Sequence, residues 1–317
     1  MALVIASQME DGFNAELRAL AVAPTVIGVP EDRPWEAAND ADVLLVRPSP
    51  AWRALHGLAG ARPGAWPGRL RWVYSASVGV DFYPRWLLEA PFVTCGRGVA
   101  SEEIADYVVA AIYLEAKNLE AHRARSLDQW RPTPLGRVAG STVGIVGLGA
   151  IGEAVARRAL ALGAHVTATR RRALPSRIEG VRLLDDLRDV VASADHLVLA
   201  LPGTDATRQI IDAAVLARAR PGAHLINIAR GSVLDQEALA DALDADRLGF
   251  ATLDVTDPEP LPADHRLWTH PKVRLTPHIS SNYTLVRDNL FAKVAANLDR
   301  FVRGEPLHDL VDAAAGY

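Results

Sequence analysis

The segment STVGIVGLGAIGEAVARRALALG, residues 141–163, contains the clearest indication of the fold of this chain. Residues 142–146 are apolar and mostly β-branched, which predicts a buried strand, and the glycines after them have the spacing G-x-G-x-x-G. Apolar residues at helical spacing follow, and Gly163 stands where a helix C-cap is expected. The glycine pattern alone is common in Gly-rich loops, but between a strand and a helix it predicts a dinucleotide-binding unit.

Each glycine of this turn has its own physical task. The first allows the tight turn, the second lets the backbone approach a pyrophosphate, and the third lets the helix pack closely on the strand. Free N–H groups at the start of the helix bind the phosphates. The residues predicted to hold the cofactor here are Gly147, Gly149, Ala150, Ile151 and Gly152.

Length and composition limit the classes of protein. The 317 residues suit two domains, and half of them are hydrophobic, which is enough for two cores. The formal net charge of −4 gives no basic excess, so we expect no nucleic acid and no membrane as partners. Cys95 is the only cysteine, which fits a reducing compartment. Residues 1–12 do not resemble a signal peptide and no apolar run approaches about 20 residues, so we expect a soluble, cytoplasmic protein.

The rest of the chain alternates short apolar runs with helical or loop stretches, which predicts parallel α/β sheets. Before the glycine turn, strands are predicted at 3–6, 25–29, 43–46, 72–76 and 92–94. Ser101 is predicted to cap a long helix that forms a crossover between two domains, and residues 119–140 are predicted to form an arm. Later strands are predicted at 165–169, 196–201, 224–229, 249–255 and 273–275, and helices at 212–219, 236–243 and 283–302.

The end of the second strand of the unit indicates which nicotinamide cofactor binds. An acidic residue about 20 positions past the glycines takes the ribose 2′-hydroxyl of NAD, whereas arginine accommodates the 2′-phosphate of NADP. Here the sequence is Thr169, Arg170, Arg171 and Arg172, without a carboxylate. Arginines suit planar phosphate contacts, so the pattern favours NADP over NAD. The alternative is a solvated charge run, and Arg172 is the residue of the three with the weakest case for a contact.

Three later strand ends carry ionisable groups, namely Arg230, Glu259 and His278. Ligands bind at the carboxyl ends of strands in such sheets, so the three side chains can converge on one crevice. Arg230 can pair with a carboxylate and polarise the adjacent carbonyl, and His278 can give a proton to the carbonyl oxygen as hydride arrives. Glu259, if it contacts His278, would stabilise the imidazolium. Together they predict reduction of a 2-oxo acid.

Other interpretations of these residues stay open. Arg230 can be a surface ion-pair partner, His278 a structural histidine, and Glu259 part of a loop between two prolines. The other histidines show no paired spacing for metal, and no G-x-S-x-G elbow is present. A metal site and a serine mechanism are therefore disfavoured.

The chain resembles the D-isomer-specific 2-hydroxyacid dehydrogenase family. The resemblance rests on VGIVGLGAIG, LINIARGSVLDQEALADAL, LDVTDPEPLPADHRLW and LTPHIS, in order across about residues 140–282. It implies a Rossmann dinucleotide-binding domain, 100–283, inserted into a flavodoxin-like substrate domain, 1–99 completed by 284–317. It also implies the roles given above to Arg230, Glu259 and His278.

The resemblance implies further site residues. Asp254 would be a partner for the nicotinamide carboxamide, and the backbone of Val78 and Gly79 in SVGVD would hold the substrate carboxylate. Arg47 would lie near the distal end of the substrate. Further cofactor contacts are implied at Leu201, Pro202, Thr207, Ile228, Ala229 and Ser280.

TRRR is similar to the sequences of NADPH-using glyoxylate and hydroxypyruvate reductases within the family. Trp130, in W-R-P, resembles an arm tryptophan of that group that can reach the active site of a partner subunit, which implies a homodimer. Two departures from the family pattern are Asp106, where glutamate is usual, and Thr256, in place of a frequent aromatic residue.

The sequence thus predicts an NADP(H)-preferring oxidoreductase that interconverts a small 2-oxo acid and its D-2-hydroxy acid. Glyoxylate or hydroxypyruvate are the first substrates to test. The alternatives are a non-enzymatic, nucleotide-sensing protein like the corepressors that share this fold, and a relative that acts on another donor such as phosphite.

Overall fold

The computed structural model describes residues 3–31, 33, 35–36, 40–55, 62–64, 66–171 and 174–317. It divides into two compact units, Met1–Val99 with Tyr283–Tyr317, and Ala100–Asn282. The strands and α-helices are, in chain order, β1 Val4–Ser7, α1 Asp11–Arg18, β2 Thr25–Gly28, β3 Val43–Val46, α2 Pro50–Leu55, β4 Trp72–Ser75, β5 Phe92–Cys95, α3 Ser101–Lys117, β6 Thr142–Val146, α4 Ala150–Ala161, β7 His165–Thr169, β8 Val181–Leu183, α5 Leu187–Ser193, β9 His196–Leu199, α6 Ala213–Leu216, β10 Ala223–Asn227, α7 Gln236–Asp244, β11 Leu248–Leu253, β12 Val273–Leu275 and α8 Tyr283–Arg303.

The first unit is built on a five-stranded parallel sheet with the order β2-β1-β3-β4-β5. This is the flavodoxin-like order. All four residues of β3 are buried, as expected for a central strand covered on both faces. Helix α8 packs on this sheet through Leu290, Val294 and Leu298, in one apolar cluster with Phe13 of α1. The C-terminal helix therefore belongs to the core of the first unit.

The second unit holds a seven-stranded parallel sheet with the order β12-β11-β10-β9-β6-β7-β8. Counted from β6, this is the dinucleotide-binding order 3-2-1-4-5-6 with a seventh strand added beside the sixth. The sheet reverses its order between β6 and β9, at the point where such folds bind ligands. The predicted fold class, two doubly wound parallel sheets, is confirmed.

Several local predictions were wrong in detail. Ser101 does not cap α3, because the carbonyl of Ala100 already accepts the amide of Ile104 at 3.1 Å and the helix begins one residue earlier. The Ser101 side chain is buried inside the first turn instead. Strand β9 ends at Leu199 rather than at residue 201, and β8 and α5 were not predicted at all.

Helix α3 lies in the second unit, where it packs on α4, and ion pairs from Arg158 to Glu102 and Asp106 fasten the two helices together. Asp106, the residue that departs from the family pattern, therefore has a local ion-pair partner. The arm after α3 is largely exposed, and its apolar side chains Leu127 and Trp130 are 91% and 78% exposed. Among the described residues, no helix has both the length and the apolar character needed to span a membrane.

The packing of α8 leads to a prediction about stability. Leu298→Ala removes a fully buried side chain from the first core and should lower the free energy of unfolding by about 2–5 kcal/mol. Val302→Ala in the same helix removes a 53% exposed side chain and should change it by less than about 0.5 kcal/mol. Urea unfolding followed by tryptophan fluorescence measures both, because most of the seven tryptophans lie in residues 1–99. Equal effects of the two substitutions would contradict the packing.

Candidate active site

The glycine turn joins β6 to α4 and is held against both neighbouring strands. Gly147 has φ +106°, and a Cβ there would lie 2.7 Å from the carbonyl of Ala200, just after β9. On the other side, the amides of Gly147 and Leu148 donate to the carbonyl of Thr169 at 3.0 Å each. A side chain at Gly147 would therefore meet both backbone strain and a collision.

The start of α4 fits the phosphates of a dinucleotide. Gly149 is the N-cap residue, no side chain caps the helix, and a Cβ on Gly149 would meet no atom within 4 Å. The amides of Ala150, Ile151 and Gly152 thus begin the helix without an intrahelical acceptor, and the helix dipole favours an anion there. A Cβ on Gly152 would lie 2.3 Å from the carbonyl oxygen of Gly147, so only glycine permits this close approach. The residues present fit an NAD(P) cofactor.

The segment predicted to select between the cofactors follows β7, the strand beside the glycine turn. Thr169 ends that strand and is half-buried, like Arg170, whereas Arg171 is exposed. Arg170 makes one long hydrogen bond, from Nη1 to the carbonyl of Pro175 at 3.5 Å. Arg172 lies outside the described residues. Arg170 and Arg171 therefore follow the strand that lies beside the glycine turn.

The other predicted cofactor residues lie at the ends of neighbouring strands. Leu201 and Pro202 follow β9, and the Thr207 hydroxyl donates to the carbonyl of Pro202 at 2.7 Å. Ile228 and Ala229 follow β10 and are buried, as is Ser280 beyond β12. All are located in the second unit on the carboxyl side of its sheet.

His278 and Glu259 are in direct contact. The imidazole Nδ1 lies 2.7 Å from Glu259 Oε1, and the two side chains are 42% and 32% exposed. Because an ionised carboxylate only accepts hydrogen bonds, Nδ1 carries a proton and Nε2 is the nitrogen left for another partner. The contact joins the segments that follow β11 and β12, which are neighbours in the sheet.

Arg230 follows β10, the next strand of the same sheet, and a buried asparagine fixes its backbone. Asn227 is fully buried, donates from Nδ2 to the carbonyl of Arg230 at 3.0 Å and accepts the amide of Ala229 at 3.0 Å. A Cβ on Gly231 would lie 1.9 Å from the carbonyl carbon of Thr256, so this turn is packed tightly against the segment that carries Glu259. The three predicted catalytic residues thus belong to three adjacent, interlocked segments.

Gln236 fixes the backbone before Glu259. Its Nε2 donates to the carbonyl of Asp257 at 2.6 Å, and its Oε1 accepts the amide of Asp257 at 3.0 Å. Gln236 is buried at the start of α7, and Thr256 adds a bond from its hydroxyl to the carbonyl of Pro258 at 2.9 Å. The hydroxyl of Thr256, the second departure from the family pattern, is therefore used to shape this loop.

Asp254 has local partners for both of its carboxylate oxygens. The carboxylate is buried and accepts the amides of Ile279 and Ser280, at 2.8 and 2.9 Å, as well as the hydroxyl of Thr276 at 2.7 Å. Its predicted contact with the nicotinamide stays a prediction, but the geometry adds a second task for this residue.

The predicted substrate residues Arg47, Val78 and Gly79 lie in the first unit, after the paired strands β3 and β4. The guanidinium of Arg47 forms an ion pair with Glu31. The loop with Val78 and Gly79 is shaped by the Ser77 hydroxyl, which donates to the carbonyl of Gly79 at 2.7 Å. Trp130 belongs to the exposed arm of the second unit, and its predicted role remains a prediction.

Four residues that shape the site were not predicted. Asn227 could have been noticed as the polar residue within the apolar run LINIA. Gln236 could not, because in the sequence it resembles any polar residue on the exposed face of a helix. Thr276 and Tyr107 are joined by a hydrogen bond of 2.6 Å across 169 positions, for which no sequence pattern exists.

The chain is similar to known proteins over nearly its whole length. Residues 109–280 match the family described as D-isomer specific 2-hydroxyacid dehydrogenase, NAD binding domain. The chain is 31% identical to glyoxylate/hydroxypyruvate reductase A of Serratia proteamaculans, over 96% of this chain and 97% of that protein. It is also 31% identical to D-3-phosphoglycerate dehydrogenase of Mycobacterium bovis, over 99% of this chain but 59% of that protein.

A solved structure extends the similarity to three dimensions. The NADPH-dependent glyoxylate/hydroxypyruvate reductase of Sinorhizobium meliloti, in complex with NADP and sulfate, superposes with a TM-score of 0.80 at 26% identity, over 100% of this chain and 99% of that one. The family match covers more than half of the chain, and it includes the glycine turn and the segments of Arg230, Glu259 and His278. The chain therefore belongs to the D-isomer specific 2-hydroxyacid dehydrogenase family of NAD(P)-dependent oxidoreductases.

Proposed function

We propose that this protein is an NADPH-preferring reductase that converts a small 2-oxo acid, glyoxylate or hydroxypyruvate, into its D-2-hydroxy acid. The observation that carries the proposal is the hydrogen bond of 2.7 Å between His278 and Glu259, beside the strand end of Arg230 in a nucleotide-binding unit. The similarity to two glyoxylate/hydroxypyruvate reductases supports the substrate class.

Each of the three residues has a distinct task in this reaction. The cofactor, when bound, supplies the hydride. Arg230 pairs with the substrate carboxylate and polarises the adjacent carbonyl. His278 donates the Nε2 proton to the carbonyl oxygen, so that one hydride and one proton convert the carbonyl to an alcohol. Glu259 accepts a hydrogen bond from the Nδ1–H group of His278 throughout the reaction, and its negative charge stabilises the imidazolium before the proton is transferred.

Removal of the acid should stop the reaction without preventing cofactor binding. His278→Ala should lower kcat/KM for glyoxylate by about 10³-fold, because general acid catalysis contributes about 10²–10⁴-fold. Glu259→Gln should lower it less, since the imidazole stays in place. The matched control is His165→Ala, which removes an exposed histidine at the start of β7. Steady-state kinetics and an NADPH fluorescence titration measure the two properties, and full activity of His278→Ala would refute the acid role.

The preference for NADPH rests on the residues after β7. Thr169 and Arg170 are half-buried beside the glycine turn, and no carboxylate among residues 169–171 would repel a 2′-phosphate. A guanidinium can make paired hydrogen bonds to that phosphate, whereas the 2′-hydroxyl of NADH offers no charge to bind. The bound NADP of the Sinorhizobium meliloti enzyme supports this proposal.

Loss of one of these guanidiniums should affect one cofactor only. We expect Arg170→Ala to raise the KM for NADPH by about 10-fold and to leave the KM for NADH unchanged, because a charge-assisted hydrogen bond is worth about 1.5–3 kcal/mol. Arg182→Ala, at an exposed position of the neighbouring strand β8, is the control for a general loss of positive charge. Comparable rates of the unaltered protein with NADPH and NADH would contradict the proposal.

A second copy of the chain is the proposed partner. The arm exposes apolar side chains, with Leu119 at 67%, Leu127 at 91% and Leu135 at 44%, and Trp130 lies among them. Several large apolar side chains exposed on one segment favour an interaction surface on that segment. We propose that this arm joins two subunits. We also propose that the dimer is cytoplasmic, because the one cysteine, Cys95, is free and buried, so no disulfide requires an oxidising compartment.

The dimer has a direct test in light scattering. The unaltered protein should have twice the chain mass of 34.1 kDa, and the double substitution Leu127→Ser with Trp130→Ser should shift it toward the monomer. Leu174→Ser, at a 51% exposed leucine outside the arm, is the control and should leave the mass unchanged. A monomeric unaltered protein would rule the dimer out.

A further inference from the structure

The turn that carries His278 has an unusual backbone that needs support. His278 has φ +54°, a left-handed conformation that is uncommon for a residue with a side chain. Such a conformation persists only when the surrounding contacts enforce it. Here the amide of His278 donates to the carbonyl of Asp254 at 2.9 Å, and the next two amides donate to the Asp254 carboxylate. One buried residue therefore holds three successive amides of the turn.

The Asp254 carboxylate is in turn held by a hydroxyl. Thr276 Oγ1 donates to Asp254 Oδ1 at 2.7 Å, and it also lies 2.6 Å from the hydroxyl of Tyr107. A threonine hydroxyl has one proton, which is given to the carboxylate, so Tyr107 must donate to Thr276. The hydrogen bonds therefore run in one direction, with Tyr107 donating to Thr276 and Thr276 donating to Asp254.

Tyr107 is suited to be the permanent donor at the start of this chain. It lies on α3, and burial raises the pKa of its phenol above the usual value, which keeps the hydroxyl protonated. Its hydrogen bond joins α3 to the residue that follows β12, so a helix and a strand end set the position of one carboxylate. All three hydrogen-bonded residues, Tyr107, Thr276 and Asp254, belong to the second unit.

We propose that Tyr107 and Thr276 are positioning residues for the acid His278, acting through the carboxylate of Asp254. The two hydroxyls fix the carboxylate, the carboxylate fixes the amides of residues 279 and 280, and the turn then aims the imidazole with Nδ1 toward Glu259. Neither hydroxyl contacts the substrate in this role. The inference rests on the proposed function, because His278 is the proton donor of that reaction.

Substitution of Thr276 separates the hydroxyl from the rest of the side chain. Thr276→Val keeps the shape and removes both hydrogen bonds, and with NADPH and glyoxylate it should lower kcat by about 10-fold through misplacement of the acid. The KM for glyoxylate should stay within about twofold, because binding of the ground state is not altered. Tyr107→Phe should have a smaller effect in the same direction. Thr276→Ser keeps the hydroxyl and should restore kcat.

A solvent isotope effect distinguishes positioning of an acid from a merely structural role. If proton delivery becomes slower, the ratio of kcat in H₂O to kcat in D₂O should rise in Thr276→Val and Tyr107→Phe and stay at the original value in Thr276→Ser. The matched control is Thr252→Val on β11, where the lost hydroxyl is buried and bonds to His224 and Arg274 instead of Asp254. It should leave the ratio unchanged. Circular dichroism and an NADPH titration confirm that each variant is folded.

A readout without turnover keeps this inference apart from the proposed function. The proton between His278 Nδ1 and Glu259 should give a downfield ¹H NMR signal, identified by its loss in Glu259→Gln. We expect that signal to persist in Thr276→Ser and to shift or broaden in Thr276→Val. An inactive unaltered protein in which the signal still depends on Thr276 would contradict the proposed function and support the positioning role. An unchanged signal and unchanged kcat in Thr276→Val, or equal losses in Thr276→Ser and Thr276→Val, would overturn it.

Discussion

All strands of the second unit run in the same direction, and this common direction determines which residues emerge next to one another. Parallel strands place all their carboxyl ends at one edge of a sheet, so residues that follow β10, β11 and β12 must emerge side by side. Arg230, Glu259 and His278 follow these strands in that order, although they are spread over 49 positions of the sequence. The crossovers that keep the strands parallel therefore do the work of assembling the site. The glycine turn after β6 lies at the same edge, which is why a nucleotide and the proposed proton donor, His278, can share one sheet.

The common edge brings the residues together but does not fix the position of each side chain. Buried polar residues do this by holding the backbone of the segments that carry them. Asn227, Asp254 and Gln236 are each buried, and each uses its polar atoms on the backbone of one segment that carries a predicted catalytic residue. Burying an amide or a carboxylate costs free energy unless its hydrogen bonds are satisfied, and backbone amides and carbonyls satisfy them here. The cost is therefore offset while the loops become rigid. Rigid placement of a donor matters because its geometry is then already correct when charge develops in the transition state.

The sequence predicted what local patterns encode and missed what distant contacts decide. The predicted bounds are exact for four strands, β3, β6, β7 and β12, because a short apolar run bounded by turn residues is compatible with few structures other than a strand. The glycine turn was predicted from the spacing of its glycines. The three-residue edge strand β8 is too short to show a hydrophobic period. The cap of α3 was predicted one residue too late, because Ala100 is the N-cap residue and its carbonyl accepts the amide of Ile104. The contact between His278 and Glu259 was anticipated from chemistry. The support beneath it, from Tyr107 through Thr276, joins elements 169 positions apart and had no local signal.

Family membership does not by itself identify the substrate. Arg230 and His278, in the roles proposed for them, act on the carboxylate and the carbonyl, and every 2-oxo acid has both groups. Discrimination must come from residues that contact the remainder of the molecule, and the resemblance to the family implies that Arg47 lies near this distal end. In the structure its guanidinium is already paired with Glu31, so a substrate anion would have to compete with a carboxylate that is part of the same unit. The presence of an arginine at this position is therefore a weak argument for an anionic tail, whereas a small, uncharged tail such as that of glyoxylate or hydroxypyruvate needs no such competition.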